Sequence, residues 1–236
     1  MKHKLLLGIL CALALGAGVV YWMRTSDPTA ELPLISTFQP LYLQNVNYLY
    51  QQEIYSLYKT QKADVVMFGD SHTYSINWSE ALARPAIANR GIRGDILQGF
   101  IKRIDNVIAL QPKVCFLMGG INDFYAYVSV DKVFTQYCEL IETLRSHNIS
   151  VVLQATLYVG AARADADERN KQVTELNTKL RAYATAHSLR FIDINPLISE
   201  QEALKTEMTV DGLHLNARGY QLWLPEVEKA LVAEGL

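Results

Sequence analysis

The sequence predicts an α/β protein built on a doubly wound, five-stranded parallel sheet, with an N-terminal transmembrane helix ahead of it. Three observations carry that prediction. Short apolar runs recur along the chain, bounded by Gly, Pro, Asn or charge; longer segments with apolar residues at three- and four-residue spacing separate them; and one almost unbroken apolar stretch opens the chain. With 236 residues, 50% of them hydrophobic and 19% charged, there is enough chain for one well-packed domain and a short extension. The net charge of −2 offers no basic excess to neutralise phosphates, so nucleic acid is not an expected partner.

The opening stretch, residues 5–23, is about as long as a helix must be to cross a bilayer core. Lys2 and Lys4 precede it and Arg24 alone follows before Ser26, Asp27 and Pro28, so the positive-inside bias puts the N-terminus in the cytoplasm and the rest of the chain outside. In a bacterial cell that is an inner-membrane anchor with a periplasmic or extracellular domain. A cleaved signal peptide, leaving a secreted protein, is the rival reading, because Ala12, Ala14, Gly16, Ala17 and Gly18 offer small residues. The apolar run continues past them through Tyr21 and Trp22, which suit a membrane interface, and this favours the anchor. Leu10 is too bulky for Cys11 to mark a lipoprotein signal.

The expected organisation is therefore an anchor over 1–24, a linker and juxtamembrane helix over 25–61, and one domain over 62–236. Pro28, Pro33 and Pro40 mark the linker, and the tyrosine-rich stretch from Tyr42 to Tyr58 suits an amphipathic helix resting on the domain or on the membrane, the former being favoured. Strands are expected at 63–68, 86–88, 114–118, 151–153 and 191–194. Between them, Ile96, Leu97, Phe100, Ile101, Ile104, Val107 and Ile108 form one helical face, and Val173, Leu176, Leu180 and Tyr183 another. Strands alternating with helices imply right-handed crossovers and a site at the carboxyl ends of the strands. Cys115 falls in an expected strand and Cys138 in an expected helix, where both read as small core residues in preference to a disulfide.

Chemistry is therefore sought just after each strand. Gly69-Asp70-Ser71-His72 follows the first, and a serine on a tight strand-to-helix turn projects its hydroxyl into a cleft. A free alcohol is a poor nucleophile and needs a base, itself oriented by a third group. Asp211-Gly212-Leu213-His214 supplies both, since Gly212 permits the turn that returns the carboxylate to the imidazole. After the second strand, Gly94 offers an N–H with no side chain in the way. After the third, Asn122 in Gly119-Gly120-Ile121-Asn122-Asp123 offers an amide beside the Ser71 N–H, the donors an oxyanion requires. Asp70, Asp95 and Asp123 read as turn or cap supports, His147 and His187 as helix-end residues, and His72 as cleft-lining or supporting rather than as the base.

Gly-Asp-Ser at 69–71, Gly94, Gly-x-Asn-Asp at 120–123 and Asp-x-x-His at 211–214, in that order, resemble the four blocks of the SGNH/GDSL hydrolases. The resemblance spans roughly 63–224. It implies a flavodoxin-like, three-layer fold; Ser71 as nucleophile with Asp211 and His214 completing a triad; Ser71, Gly94 and Asn122 as the oxyanion hole; and no metal or cofactor. The wording of Asn89-Arg90-Gly91-Ile92 and Gly120-Ile121-Asn122-Asp123 is similar to the branch of platelet-activating-factor acetylhydrolase-like and sialate or carbohydrate O-acetylesterase-like enzymes. A short acyl group on a glycan or lipid ester is what that branch implies. His72, Tyr74, Phe124 and Tyr125, with Trp78 and Tyr127 nearby, are the expected substrate-lining residues, against a pure packing role of equal weight. A lysophospholipase or thioesterase, a glycan O-acyltransferase using the same residues, and a silent glycan-binding module are the alternatives.

Overall fold

The computed structural model describes residues 39–236. The expected anchor over 5–23 and the proline-marked linker up to residue 38 lie outside the described residues, and no helix among the described residues is long and apolar enough to cross a membrane.

Five strands, β1 (Val65–Gly69), β2 (Ile87–Gly91), β3 (Val114–Met118), β4 (Ser150–Gln154) and β5 (Arg190–Ile192), form one sheet in the order β2-β1-β3-β4-β5, every pair parallel. The side-chain period of two sorts the apolar runs into two layers. Val66, Phe68, Cys115 and Leu117 face one side, packed by α4 (Leu97–Lys102), α7 (Val130–Ser146) and α8 (Ala166–Ala186) through Phe100, Tyr137, Leu140, Leu176 and Leu180. Val65, Met67, Phe116 and Met118 face the other, where Trp78 and the Trp223 and Val227 of α10 (Ala217–Ala233) cover them. A strand buried on both faces reads as continuous apolar sequence, which is why β1 and β3 have no polar alternation. Each such fully buried large side chain contributes about 1.5–3 kcal/mol relative to exposure.

Three local departures from expectation have physical causes. β2 runs on through Asn89 to Gly91, beyond its apolar stretch. Its polar residues pair in register with Met67 to Gly69, and the Asn89 amide is used up on the Thr73 and Ile76 carbonyls. The single helix expected over 96–108 is broken into α4 and α5 (Asp105–Ile108). At Arg103 the backbone leaves helical geometry (φ −121°, ψ 15°), and the guanidinium turns inward to the sheet. A two-stranded antiparallel hairpin, β6 (Ser199–Glu200) with β7 (Ala203–Leu204), was not expected at all.

The tyrosine-rich stretch contains helix α1 (Val46–Leu57), whose Asn45 N-cap accepts from the Asn47 N–H. Tyr55 Oη donates to the Gly91 carbonyl at 2.7 Å, Asn45 Nδ2 to the Arg93 carbonyl at 2.8 Å, and the Arg90 guanidinium lies against the Tyr55 ring. Cys115 and Cys138 are both free.

Candidate active site

The carboxyl edge of the sheet gathers the residues singled out above. β1 ends at Gly69, where a Cβ would come within 2.0 Å of Thr73 Oγ1, so only glycine lets the chain fold back this tightly into the short helix α2 (Ser71–Tyr74). Asp70 caps that helix by accepting from the His72 N–H at 2.9 Å. Ser71 is thereby fixed at the first helical position, with no acceptor for its N–H among the described residues.

Opposite it, Gly212 adopts φ +79° and lets the chain reverse so that one carboxylate organises the whole turn. Asp211 Oδ1 accepts from the Leu213 and His214 N–H groups at 2.9 and 2.8 Å, and Oδ2 meets His214 Nδ1 at 2.7 Å. The other ring nitrogen, Nε2, lies 3.0 Å from Ser71 Oγ. Thr209 Oγ1 donates to the His214 carbonyl and steadies the turn from below. Partial burial raises the Asp211 carboxyl, but the His214 ring and the two backbone N–H groups outweigh it and bring it down to about 2.

Gly94, at φ +69°, presents an N–H with no acceptor among the described residues. Asn122, in the short helix α6 (Ile121–Tyr125), spends one amide proton on the Asp95 carbonyl at 3.0 Å, which fixes its plane and leaves the second proton to donate. Ser71, Gly94 and Asn122 thus offer three donors from three strand ends.

Beneath these donors lies a polar layer that the sequence did not disclose. Arg103 and Asp95 are both sealed from solvent and paired at 2.7 Å, and Arg103 also donates to the Arg90 and Gly69 carbonyls. The rings of Phe68 and Phe100 flank its guanidinium. Asp95 caps Ile96, as its turn position suggested. Burial raises its carboxyl to about 6, with the Arg103 charge pulling the other way. Asp123 does not cap its own helix; it accepts from Leu97 N–H, and burial pushes its carboxyl well up. Tyr137 Oη accepts from Gly119 N–H and donates to its carbonyl, anchoring the turn before Asn122. The one sequence signal for Arg103 was a charge set in the apolar helical face between Phe100 and Ile104.

His72 is not cleft-lining: at 1% exposure it is buried, its Nε2 2.9 Å from the Leu213 carbonyl and its Nδ1 3.3 Å from Asp70 Oδ1. Ser71 is itself only 3% exposed, with its hydroxyl turned to His214 while the His72 ring turns to Asp70 and Leu213. Phe124 is likewise not a substrate-lining residue, being fully buried against the sheet, and Trp78 is fully buried with Nε1 on the Thr73 carbonyl. Tyr74 is partly exposed under Arg93, Tyr125 is half-buried against Arg163, and Tyr127 is exposed. His147 and His187 stand at the ends of α7 and α8, the latter stacked on Tyr183.

A parallel doubly wound sheet whose carboxyl edge carries a Ser–His–Asp hydrogen-bond chain beside unspent donors defines a hydrolase of the serine acylhydrolase class. Comparison with known proteins makes the membership specific: the family model for the GDSL-like lipase/acylhydrolase family matches residues 67–222, and the chain belongs to that family of hydrolytic enzymes. Its fold is similar to that of a GDSL-like lipase from Bacteroides thetaiotaomicron, at 23% identity and a TM-score of 0.69, covering 80% of this chain and 98% of that one. A lipase/acylhydrolase from Enterococcus faecalis (22%, TM-score 0.62, 73% and 96% covered) and an acetyl xylan esterase (22%, TM-score 0.62, 70% and 98%) share the same fold. Among curated proteins, an N-acylneuraminate cytidylyltransferase from Streptococcus agalactiae is 23% identical over 189 residues, 77% of this chain and 44% of that protein. The chain therefore spans less than half the length of the curated relatives it matches.

Proposed function

We propose that this chain is an esterase that removes short acyl groups, acetyl foremost, from a carbohydrate or lipid hydroxyl through a Ser71 acyl-enzyme. The 3.0 Å contact between His214 Nε2 and Ser71 Oγ carries this reading, with Asp211 closing the relay behind it. Ser71 Oγ attacks the ester carbonyl as His214 takes its proton. The carbonyl oxygen, now negative, is met by the Ser71 and Gly94 N–H groups and the free Asn122 amide proton. His214 returns the proton to the leaving alcohol, then draws one from water as its oxygen attacks the acyl carbon; the bond to Ser71 Oγ breaks, His214 gives that proton to Oγ, and the carboxylic acid leaves. Asp211 holds the ring tautomer and stabilises the imidazolium without itself taking the proton.

Preference for a polar alcohol is supported by the groove of about 1110 Å³ that starts at Asp211 and Gly212 and has charged and small residues such as Arg163, Lys171, Glu202 and Gly160 in its wall; Ser71 and His214 do not line it, and the short acyl rests on the resemblance of residues 89–92 and 120–123 to the O-acetylesterase branch. An apolar channel is what a long acyl chain would require. The likeness to an acetyl xylan esterase points the same way. The outward-facing anchor over 5–23 belongs to the same proposal, resting on Lys2 and Lys4, and protease accessibility in spheroplasts tests it.

Rates of the full chain on acetyl, butyryl and decanoyl aryl esters test the proposal, with acetyl expected fastest and a decanoyl preference overturning it. Fluorophosphonate labelling of the native chain, lost in Ser71→Ala together with about four to six orders of magnitude in kcat, tests the nucleophile. A native chain that takes no label has no activated Ser71.

A further inference from the structure

At the Asp211 end of the groove stands a guanidinium that forms no ion pair among the described residues. Arg163 is held there by two neutral acceptors: its Nε donates to Tyr125 Oη at 3.2 Å and its Nη1 to the Asp211 carbonyl at 3.1 Å. A guanidinium has five N–H groups, so three remain unspent. Arg169 also stands against the Tyr125 ring, 5.5 Å from its centroid, and 5.0 Å from that of Tyr127. Only 4% exposed, Arg169 spends Nη1 on Gln172 Oε1, and its buried Nε has no partner among the described residues.

The chain does have carboxylates at this groove. Asp167, Glu200, Glu202 and Glu207 line it with Lys171 and Lys205, yet among the described residues neither Arg163 nor Arg169 forms an ion pair with any acid. A cation fixed by neutral acceptors, with acids nearby and none joined to it, is preorganised for a negative group brought from outside. Its position decides which one. Its Nη1 bonds the backbone of Asp211, whose carboxylate holds His214 against Ser71, so an anion on its free N–H groups would sit beside the triad.

We propose that Arg163, backed by Arg169, binds a carboxylate or phosphate carried by the substrate, so that the enzyme acts on O-acyl esters of acidic molecules in preference to neutral ones. This rests on the esterase reading above and deepens it by naming the charge of the substrate. The planar fork of Arg163 suits two oxygens of one anion, and its two anchoring bonds remove the rotamer freedom that an exposed arginine would lose on binding.

Two matched pairs test it on the full chain: an O-acetylated hexuronic acid against its carboxamide, and O-acetylglycerol 3-phosphate against O-acetylglycerol. The native chain is expected to favour the anionic member by about tenfold or more in kcat/KM, as one charge-assisted contact provides. That ratio is expected to collapse towards one in Arg163→Gln, to survive only in part in Arg163→Lys, which keeps the charge without the fork, and to shrink in the native chain as salt rises. Arg169→Gln, which leaves the Asp211 contact in place, is expected to lower the ratio by a smaller factor. A preference within the hexuronate pair alone assigns a sugar acid, and within the glycerol pair alone a lipid-type phosphate. Equal rates within both pairs overturn the proposal while leaving the esterase reading intact, as does an Arg163→Gln chain slowed equally on both members, because Arg163 then only steadies the Asp211 turn. Failure to hydrolyse any of the four, with no fluorophosphonate labelling, overturns the esterase reading itself and the proposal with it.

Discussion

Arg103 Nε donates to Asp95 Oδ2 at 2.7 Å with both side chains fully buried, and the same guanidinium reaches the carbonyl of Gly69, two residues before the nucleophile. Asp95 in turn follows Gly94 and accepts the Asn122 amide on its carbonyl. One ion pair therefore touches all three segments that supply oxyanion donors.

Removing one partner of this pair strands the other. Asp95→Ala leaves the Arg103 charge buried without its acid, and a loss of about 3–5 kcal/mol in unfolding free energy is expected from urea titration. Arg103→Lys keeps the charge but gives up the planar contacts to Arg90 and Gly69. It is expected to lose kcat more than KM, since those contacts hold donors that act on the oxyanion.

Asn122→Ala removes a single donor from the hole. A fall of about a hundred- to a thousandfold in kcat with little change in KM is expected. Gly94→Ala adds a Cβ at φ +69°, 3.3 Å from Asn45 Nδ2, and is expected to lower kcat and stability together. Steady-state kinetics beside thermal melts separates the two cases.

His72 bridges two acceptors, Asp70 Oδ1 and the Leu213 carbonyl, and bonding both requires protons on both ring nitrogens. Burial opposes the charge, but the hydrogen bond and charge of Asp70 outweigh it, so the ring is raised above its usual 6.5. A raised value in the folded state means the contribution is complete below 6.5 and is lost as pH rises through the folded value. Melting temperature of the native chain relative to His72→Asn is therefore expected to be highest in acid and to converge as pH climbs.

Asp211 behaves in the opposite sense. Its carboxyl sits at about 2 in the fold against an ordinary 3.8, so its stabilising share is present above 3.8 and lost as pH falls towards 2. Native chain and Asp211→Asn are expected to differ in melting temperature by a constant amount at neutral pH and to approach each other only in strong acid. A difference that vanishes near pH 6 refutes this.

Much of this arrangement was legible because its signals are local. Runs such as 114–118 read as doubly covered strands, and that one matches β3 to the residue; Gly94 and Gly212, both at positive φ, marked turns that glycine favours, and Gly69 one where a Cβ would clash. The polar underlayer was not legible. Arg103, His72 and Tyr137 take partners far away in sequence, and a buried guanidinium leaves no mark on a periodicity that its aliphatic neighbours dominate. Side-chain direction was equally hidden, since nothing in the letters says that Phe124 turns to the sheet while Tyr125 turns outward. The hairpin at 199–204 is too short to show alternation at all.

β2 is an outermost strand, and α1 is fastened near its carboxyl end through Tyr55 to Gly91. Unprotected outer strands recruit copies of themselves. A recombinant fragment trimmed to begin at Lys62 would lose the Tyr55 bond to Gly91 and the Tyr55 ring against Arg90, leaving the carboxyl end of this outer strand open, so self-association should follow from a cut that leaves every reacting atom in place. Trimming at Pro40 instead would keep the fragment well behaved.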